Sequence, residues 1–368
     1  MELMEDASNV ERMMMKKAIE NGVPINGSIE LLPLCNMNCD MCYVRLSKEE
    51  MDRQGRMHSA DEWIEIGKQM QKSGVLFLLL TGGEPLLFPD FKRLYLELRK
   101  LGMMITINTN GTLIDEEWAL FFSKHKPRRI NITLYGSDNN AYHHLCHYDG
   151  GFDKVIQGIR HLKKYDIDVK IAGSITKANE QDVKQLIDIG NELDCPVRCD
   201  TYMMPATRER EKPYHMQSRL HPKNAAKARV LALKNEIGKD LFTQYVNQVL
   251  LEIENFVPND GIHHMTCYAG RCSFTVNWQG EMRPCVILSK PAMSVFEEGF
   301  QKSWEYIMKE TKKIILSSQC LKCSLRPLCR TCAASALLES GAYDGIPTYM
   351  CEYAQYTLDY LKEELNKI

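Results

Sequence analysis

The chain has 368 residues, 44% of them hydrophobic and 26% charged, with a formal net charge of −2 at pH 7. That length accommodates one large domain plus a smaller one around a full hydrophobic core. A near-neutral balance gives no electrostatic case for nucleic acid or an anionic membrane surface as partner.

Residues 1–26 read as an N-terminal helical segment and lack the continuous apolar core of a signal peptide. No stretch has the length needed to span a bilayer, so a cytoplasmic protein is expected. From 27 to 205, short apolar runs alternate with amphipathic segments. Strands are expected at 28–34, 75–81, 104–109, 129–135, 168–175 and 196–202, and helices at 59–72, 89–101, 115–124, 153–165 and 180–193. This rhythm predicts parallel βαβ units with right-handed crossovers. Six such units make an open, partial TIM-like barrel, with ligands at the C-terminal ends of the strands. Residues 206–265 read as a helical bridge, in which a charged run at Arg208–Lys212 gives way to a helix-prone stretch over 222–256. Residues 266–368 form a small cysteine-rich domain with a strand-like SFTVNW, a turn at Gln279–Gly280, and helices at about 297–315 and 351–366. The fold class is α/β.

Fourteen cysteines are many for such a chain, and they fall unevenly. Cys35, Cys39 and Cys42 form C-x3-C-x2-C directly after the first expected strand. Three thiolates this close can hold three irons of a [4Fe–4S] cube and leave the fourth iron open; a zinc knuckle or buried thiols is the plainer reading. Thr81-Gly82-Gly83-Glu84-Pro85 closes the second strand. Its glycines allow close backbone approach to a ligand, and its carboxylate suits an ammonium group. Asn108-Thr109-Asn110-Gly111 ends the third strand and Thr133-Leu134-Tyr135-Gly136 the fourth. Eight more cysteines lie between Cys267 and Cys351, enough for two further [4Fe–4S] clusters or two zinc sites.

The triplet and the strand-end motifs together resemble the radical S-adenosylmethionine (SAM) enzymes. The resemblance implies that Cys35, Cys39 and Cys42 hold the cluster whose open iron chelates SAM. It implies a SAM site at Gly82, Gly83, Glu84, Pro85, Thr109, Asn110 and Thr133, with Met41 where an aromatic residue is usual and the fifth strand's end near Gly173-Ser174 beside the adenine. The later cysteines resemble the SPASM extension found in many of these enzymes. By that family's interleaved connectivity, Cys267, Cys272, Cys285 and Cys332 hold one auxiliary cluster, and Cys320, Cys323, Cys329 and Cys351 a second. Cys329 and Cys332 enclose two residues where the family commonly has three. The implied cofactors are therefore three [4Fe–4S] clusters and SAM.

SPASM-bearing enzymes mostly act on peptides or proteins, so a peptide maturase that forms an oxidative cross-link is the leading expectation. A low-potential donor such as flavodoxin or ferredoxin would supply the electron, and a separate protein could recognise a leader peptide. Sulfatase maturation ranks lower, because Val286 follows Cys285 where that group has an Asp. Small-molecule oxidation of a tetrapyrrole or amino sugar ranks lower too, since such relatives often keep one auxiliary cluster. Tyr135, His143 and His147 are acid–base candidates by position alone. The histidine-rich Tyr142–His147 segment is expected as a loop that forms a pocket wall or faces solvent, and Cys195 and Cys199 as core thiols.

Overall fold

The computed structural model describes residues 8–204, 218–329 and 331–367. The Arg208–Lys212 run and the 205/206 boundary fall outside those residues. Six parallel strands, β1 (Asn26–Glu30), β2 (Phe77–Thr81), β3 (Met104–Thr109), β4 (Arg129–Leu134), β5 (Val169–Ser174) and β6 (Val197–Asp200), lie side by side in chain order. Their side chains divide by period two. In β4, Ile130, Ile132 and Leu134 are fully buried, while Asn131 and Thr133 are half-buried on the other face. The apolar face packs on amphipathic helices. Helix Ala60–Lys72 starts at a Ser59/Glu62 capping box and buries Trp63, Ile66 and Met70. Helix Phe91–Lys100 buries Phe91, Leu94, Tyr95 and Leu98, the spacing of a single helical face. Full burial of each such side chain contributes about 1.5–3 kcal/mol before the entropy of ordering it.

The sheet does not stop at β1. A seventh strand, β7 (Ser273–Val276), pairs parallel with it, and β8 (Glu281–Arg283) and β9 (Met293–Ser294) continue antiparallel, giving nine strands. Ser28 and Thr275 are register partners whose hydroxyls lie 2.8 Å apart. Gly27 makes this junction sterically feasible: a Cβ there would fall 2.1 Å from the Phe274 ring. That ring meets Phe300 and Trp304 edge-on at 5.0 and 6.2 Å, and the Trp304 indole donates to the Gly22 carbonyl at 2.7 Å. The cysteine-rich segment thus extends the barrel's own sheet, a pairing the sequence alone does not reveal.

Helix Pro222–Glu254 occupies the expected bridge, broken at Gly238, whose φ of 78° is left-handed. Its Val230, Phe242, Val246 and Val249 pack with Ala354, Leu358 and Leu361 of helix Thr348–Asn366. Among the described residues, helices Lys48–Gln54, Asn139–Cys146 and Ala333–Ser340 lie beyond the expected set, in that order along the chain. The second corrects the loop expected around His143 and His147. Asp138 caps it by accepting from the Ala141 amide, and Ala141, Tyr142, Leu145 and Cys146 share its buried side.

A buried ion pair ties the segment after β6 to the C-terminal part. The Arg219 guanidinium donates to Glu339, with side chains only 5% and 9% exposed, and stacks 3.6 Å over the Tyr349 ring. Removing one partner strands the other's charge in low dielectric. Glu339→Gln is therefore expected to cost about 3–5 kcal/mol of stability, read as a lowered urea midpoint by circular dichroism; an unchanged midpoint would contradict this.

Candidate functional site

The site grows from the C-terminal ends of β1, β2 and β3. After β1 the chain runs extended, and the β2 turn docks on it. Leu31 donates to the Thr81 carbonyl at 2.9 Å, Gly83 to Leu32 at 2.7 Å and Glu84 to Leu34 at 2.9 Å. A Cβ on Gly82, whose φ is 145°, would sit 2.5 Å from the Leu32 oxygen, and one on Gly83 would sit 2.2 Å from the Leu34 oxygen. The paired glycines accordingly admit the β1 extension, where the sequence suggests close approach to a ligand. The Glu84 side chain is fully buried. It accepts from the Thr109 hydroxyl at 2.8 Å, the Asn110 amide at 2.8 Å and the Leu86 amide at 3.0 Å. Burial pushes its carboxyl up to about 7, against the pull of those donors. The carboxylate is thus engaged with protein donors, and the groups the turn presents outward are backbone ones.

Cys35 follows immediately. Cys35 and Cys42 are half-buried, and Cys39 is buried. The Met37 amide donates to the Cys35 sulfur at 3.4 Å and the Arg45 amide to the Cys42 sulfur at 3.3 Å. Asn110 reaches Cys35 at 3.7 Å and donates to Asn36 at 2.8 Å, so the third strand's end touches the cysteine loop. Burial first, then the Glu84 carboxylate and the neighbouring Cys39 and Cys42 thiols, push the Cys35 thiol up to about 12, with the Met37 amide opposing. Three soft sulfurs on one loop, two of them receiving N–H bonds that suit a thiolate, fit an iron–sulfur cube held by three ligands.

Helix Asn139–Cys146 grips this loop from the side. Its last carbonyls, at Leu145 and Cys146, accept the amides of Asp40 and Asn38 at 3.0 and 2.9 Å, on either side of Cys39. His147 adds a bond from Nε2 to Asp40 at 2.9 Å. It is placed as a tether to the cysteine loop, while His143 points outward, 60% exposed, and pairs with Asp149. Tyr135, directly after β4, lies in the neighbourhood of the Cys39 thiol. Cys146 is a neighbour of Cys39 that the sequence hides because more than a hundred residues separate them. Thr133 lies on the open face of β4, and Met41 packs half-buried against the core.

The eight later thiols sort into two neighbourhoods. Burial, with Cys332 and Cys267 nearby, pushes the Cys285 thiol up to about 11. Burial likewise pushes Cys272 up to about 11, with Cys267 beside it. Burial also raises Cys351, whose neighbours are Cys329, Cys320 and Cys323. Among the described residues, no three His, Cys, Asp or Glu side chains converge on one point as a single ion would need. Cys195 and Cys199 are buried in the core cluster.

Residues 29–190 match the Radical SAM superfamily. The chain is 26% identical over 329 residues to the AdoMet-dependent heme synthase of Methanosarcina barkeri, covering 85% of this chain and 92% of that protein. It is 26% identical over 174 residues to the sporulation killing factor maturation protein SkfB of Bacillus subtilis, 46% of this chain and 40% of SkfB. Its fold is similar to that of Streptococcus suis SuiB bound to the precursor peptide SuiA, with a TM-score of 0.66 at 18% identity over 92% of this chain and 79% of SuiB. It is also similar to anSMEcpe with bound AdoMet, with a TM-score of 0.65 at 21% identity over 94% of this chain and all of that one. Among the described residues, no helix is long and apolar enough to cross a membrane.

The buried Glu84 carboxyl predicts a pH signature. Its value of about 7, raised from the ordinary 4.5, means the folded state holds this proton more tightly than the unfolded one. Stability should then be fully present below about pH 4.5 and fall by about 3 kcal/mol as pH rises to about 7. Glu84→Gln should flatten that segment of the stability–pH curve; an equal slope in both proteins would refute it.

Proposed function

We propose, from the premise that residues 29–190 form a radical SAM domain, that this enzyme modifies a ribosomally made peptide by oxidative cross-linking. The observation that carries the proposal is the sorting of eight C-terminal thiols into two groups of four, one around Cys285 and one around Cys351. Two fully ligated clusters suit electron acceptance, which a cross-link requires once a substrate hydrogen has gone and a bond has formed. Likeness to SuiB bound to its precursor peptide and partial identity to SkfB support a peptide substrate.

When bound, SAM on the open-iron cluster supplies a 5′-deoxyadenosyl radical that takes a hydrogen atom from the substrate. The chain's own residues prepare for this. Cys35, Cys39 and Cys42 would hold the first cluster, stapled to the β2 turn by the Leu32 and Leu34 carbonyls. Backbone groups of Gly82–Pro85 would receive the SAM amino group, since the Glu84 carboxylate is bound to Thr109 and Asn110. Thr133 faces the open side where a ribose would lie. A flavodoxin- or ferredoxin-like carrier would deliver the first electron, and a separate protein would serve leader recognition.

One observation favours a second reading. The heme synthase relative matches over most of both chains, so tetrapyrrole side-chain oxidation is the rival. Sulfatase-type maturation ranks below both, since Val286 stands after Cys285.

Anaerobic reconstitution should load about twelve irons per chain. Cys39→Ala should remove about four and abolish 5′-deoxyadenosine formation, whereas Cys351→Ala should remove about four and leave SAM cleavage intact. A wild-type count near eight would refute the two-auxiliary assignment. Incubation with SAM, reductant and a precursor peptide encoded beside the gene should give a product two hydrogens lighter. Turnover of an iron-coproporphyrin in place of the peptide would transfer the assignment to the rival.

A further inference from the structure

Away from the cysteine loop, a cavity of about 430 Å³ opens where three segments meet. Ile19 of helix Asn9–Asn21 forms one wall. His264, Met265 and Arg271, around the first two of the later cysteines, form the second. Met308 and Thr311 of helix Phe300–Thr311, with Lys312 directly after, form the third. The volume suits one small ligand, since such sites commonly run from about 300 to 1,000 Å³. The cavity lies at the N-terminal ends of β1 and β7. There the Asn26 amide, at the start of β1, donates to the Cys272 carbonyl at 3.2 Å, and a Cβ on Gly22 would fall 3.0 Å from the Met308 sulfur. The five residues of β1 separate this end from the cysteine loop by roughly 17 Å. The cavity is therefore a place apart from the site at the strands' other ends.

Its polar groups are donors with capacity to spare. Thr311 is 2% exposed, and its hydroxyl has no hydrogen-bond partner. Gly270 leaves room for it: at a φ of 64°, a Cβ there would fall 2.3 Å from the Thr311 oxygen. A buried hydroxyl without a partner is costly and calls for one. Arg271 spends Nη1 on the carbonyls of Thr266 and Cys267 at 2.8 and 3.4 Å. Those bonds fix the guanidinium plane, and its Nε and Nη2 have no partner among the described residues. Lys312 likewise has no carboxylate partner among the described residues, whereas its neighbour Lys313 is paired with Glu310 at 2.6 Å.

Two cations and an unsatisfied hydroxyl thus line one space, with no acidic side chain among its described lining. A guanidinium held in plane and an ammonium beside it match a carboxylate, which only accepts. The remaining wall is apolar, and the thioethers of Met265 and Met308 adapt to irregular shapes. The geometry points to a second binding site, for a carboxylate carried on a short apolar body. The anion sits among Arg271, Lys312 and the Thr311 hydroxyl, and the apolar part lies against Ile19, Met265 and Met308. A free organic acid and an acidic side chain of a peptide both present that chemistry. Either one, once bound, ties helix Asn9–Asn21 to the cysteine-rich region, whatever the substrate at the other end.

Isothermal titration calorimetry of the full-length, anaerobically reconstituted protein tests this with phenylbutyrate and, as its neutral match, phenylbutyramide. The acid should bind once per chain, and the amide about tenfold or more weakly. Lys312→Gln removes an exposed charge, and Thr311→Val removes the hydroxyl at nearly constant shape. Each should weaken the acid by about tenfold. Arg271 is left intact because it braces the Thr266 and Cys267 carbonyls. Thr311→Val should keep or raise the thermal midpoint, so that weaker binding there is not loss of fold. A blocked Phe-Glu dipeptide that binds more tightly than phenylbutyrate would place the natural carboxylate on a polypeptide, and the opposite order would make it a free acid. No saturable binding of either acid, equal binding of acid and amide, or unchanged binding in both variants would overturn the assignment.

Discussion

One buried carboxylate organises the ligand end of the barrel. Glu84 takes the Thr109 hydroxyl and the Asn110 amide from the end of β3, while its own backbone is bound to Leu34 beside the cysteine loop. Three strand ends are thereby fixed relative to one another by a group that cannot exchange its partners for water. A charge or near-charge held without solvent is costly unless every donor is in place. The cost is what makes the arrangement specific: a displaced strand end would leave either the carboxylate or its donors unsatisfied.

The cysteine loop inherits this geometry and adds a second support. Asn110 links Glu84's neighbourhood to Cys35 through Asn36, and helix Asn139–Cys146 closes on the opposite flank. The loop is held at both sides by elements far apart in sequence, so its sulfurs are preorganised before any iron arrives. Preorganisation of this kind places ligands on rigid elements and leaves little entropy to be lost on binding.

Much of this was legible in the sequence, for definable reasons. β3 was readable to its ends because MITINT alternates buried positions with exposed or half-buried ones and is closed by Asn110-Gly111. The strand-end motifs stood out because glycine pairs and carboxylates are rare in apolar runs. What stayed hidden depends on contacts between distant segments. SFTV reads as a strand, yet its partner β1 lies nearly 250 residues earlier and only Gly27 hints at the ring above it. The Asn139–Cys146 helix was masked by His143 and His144, both exposed and without a packing signal. The protein partners of Glu84 were hidden too, because a motif shows which group is present and not which of its neighbours it already serves.

The shared sheet has a consequence for how this enzyme can be divided. β1 is an interior strand only because β7 covers it. Cutting the chain before the cysteine-rich region would leave the barrel with a bare row of amides and carbonyls along β1, next to apolar positions such as Ile29. An uncovered edge of that sort templates pairing with other chains. The C-terminal region is therefore a solubility element for the barrel as much as a carrier of thiols, and an isolated barrel should be expected to self-associate rather than stand as a minimal SAM-cleaving unit.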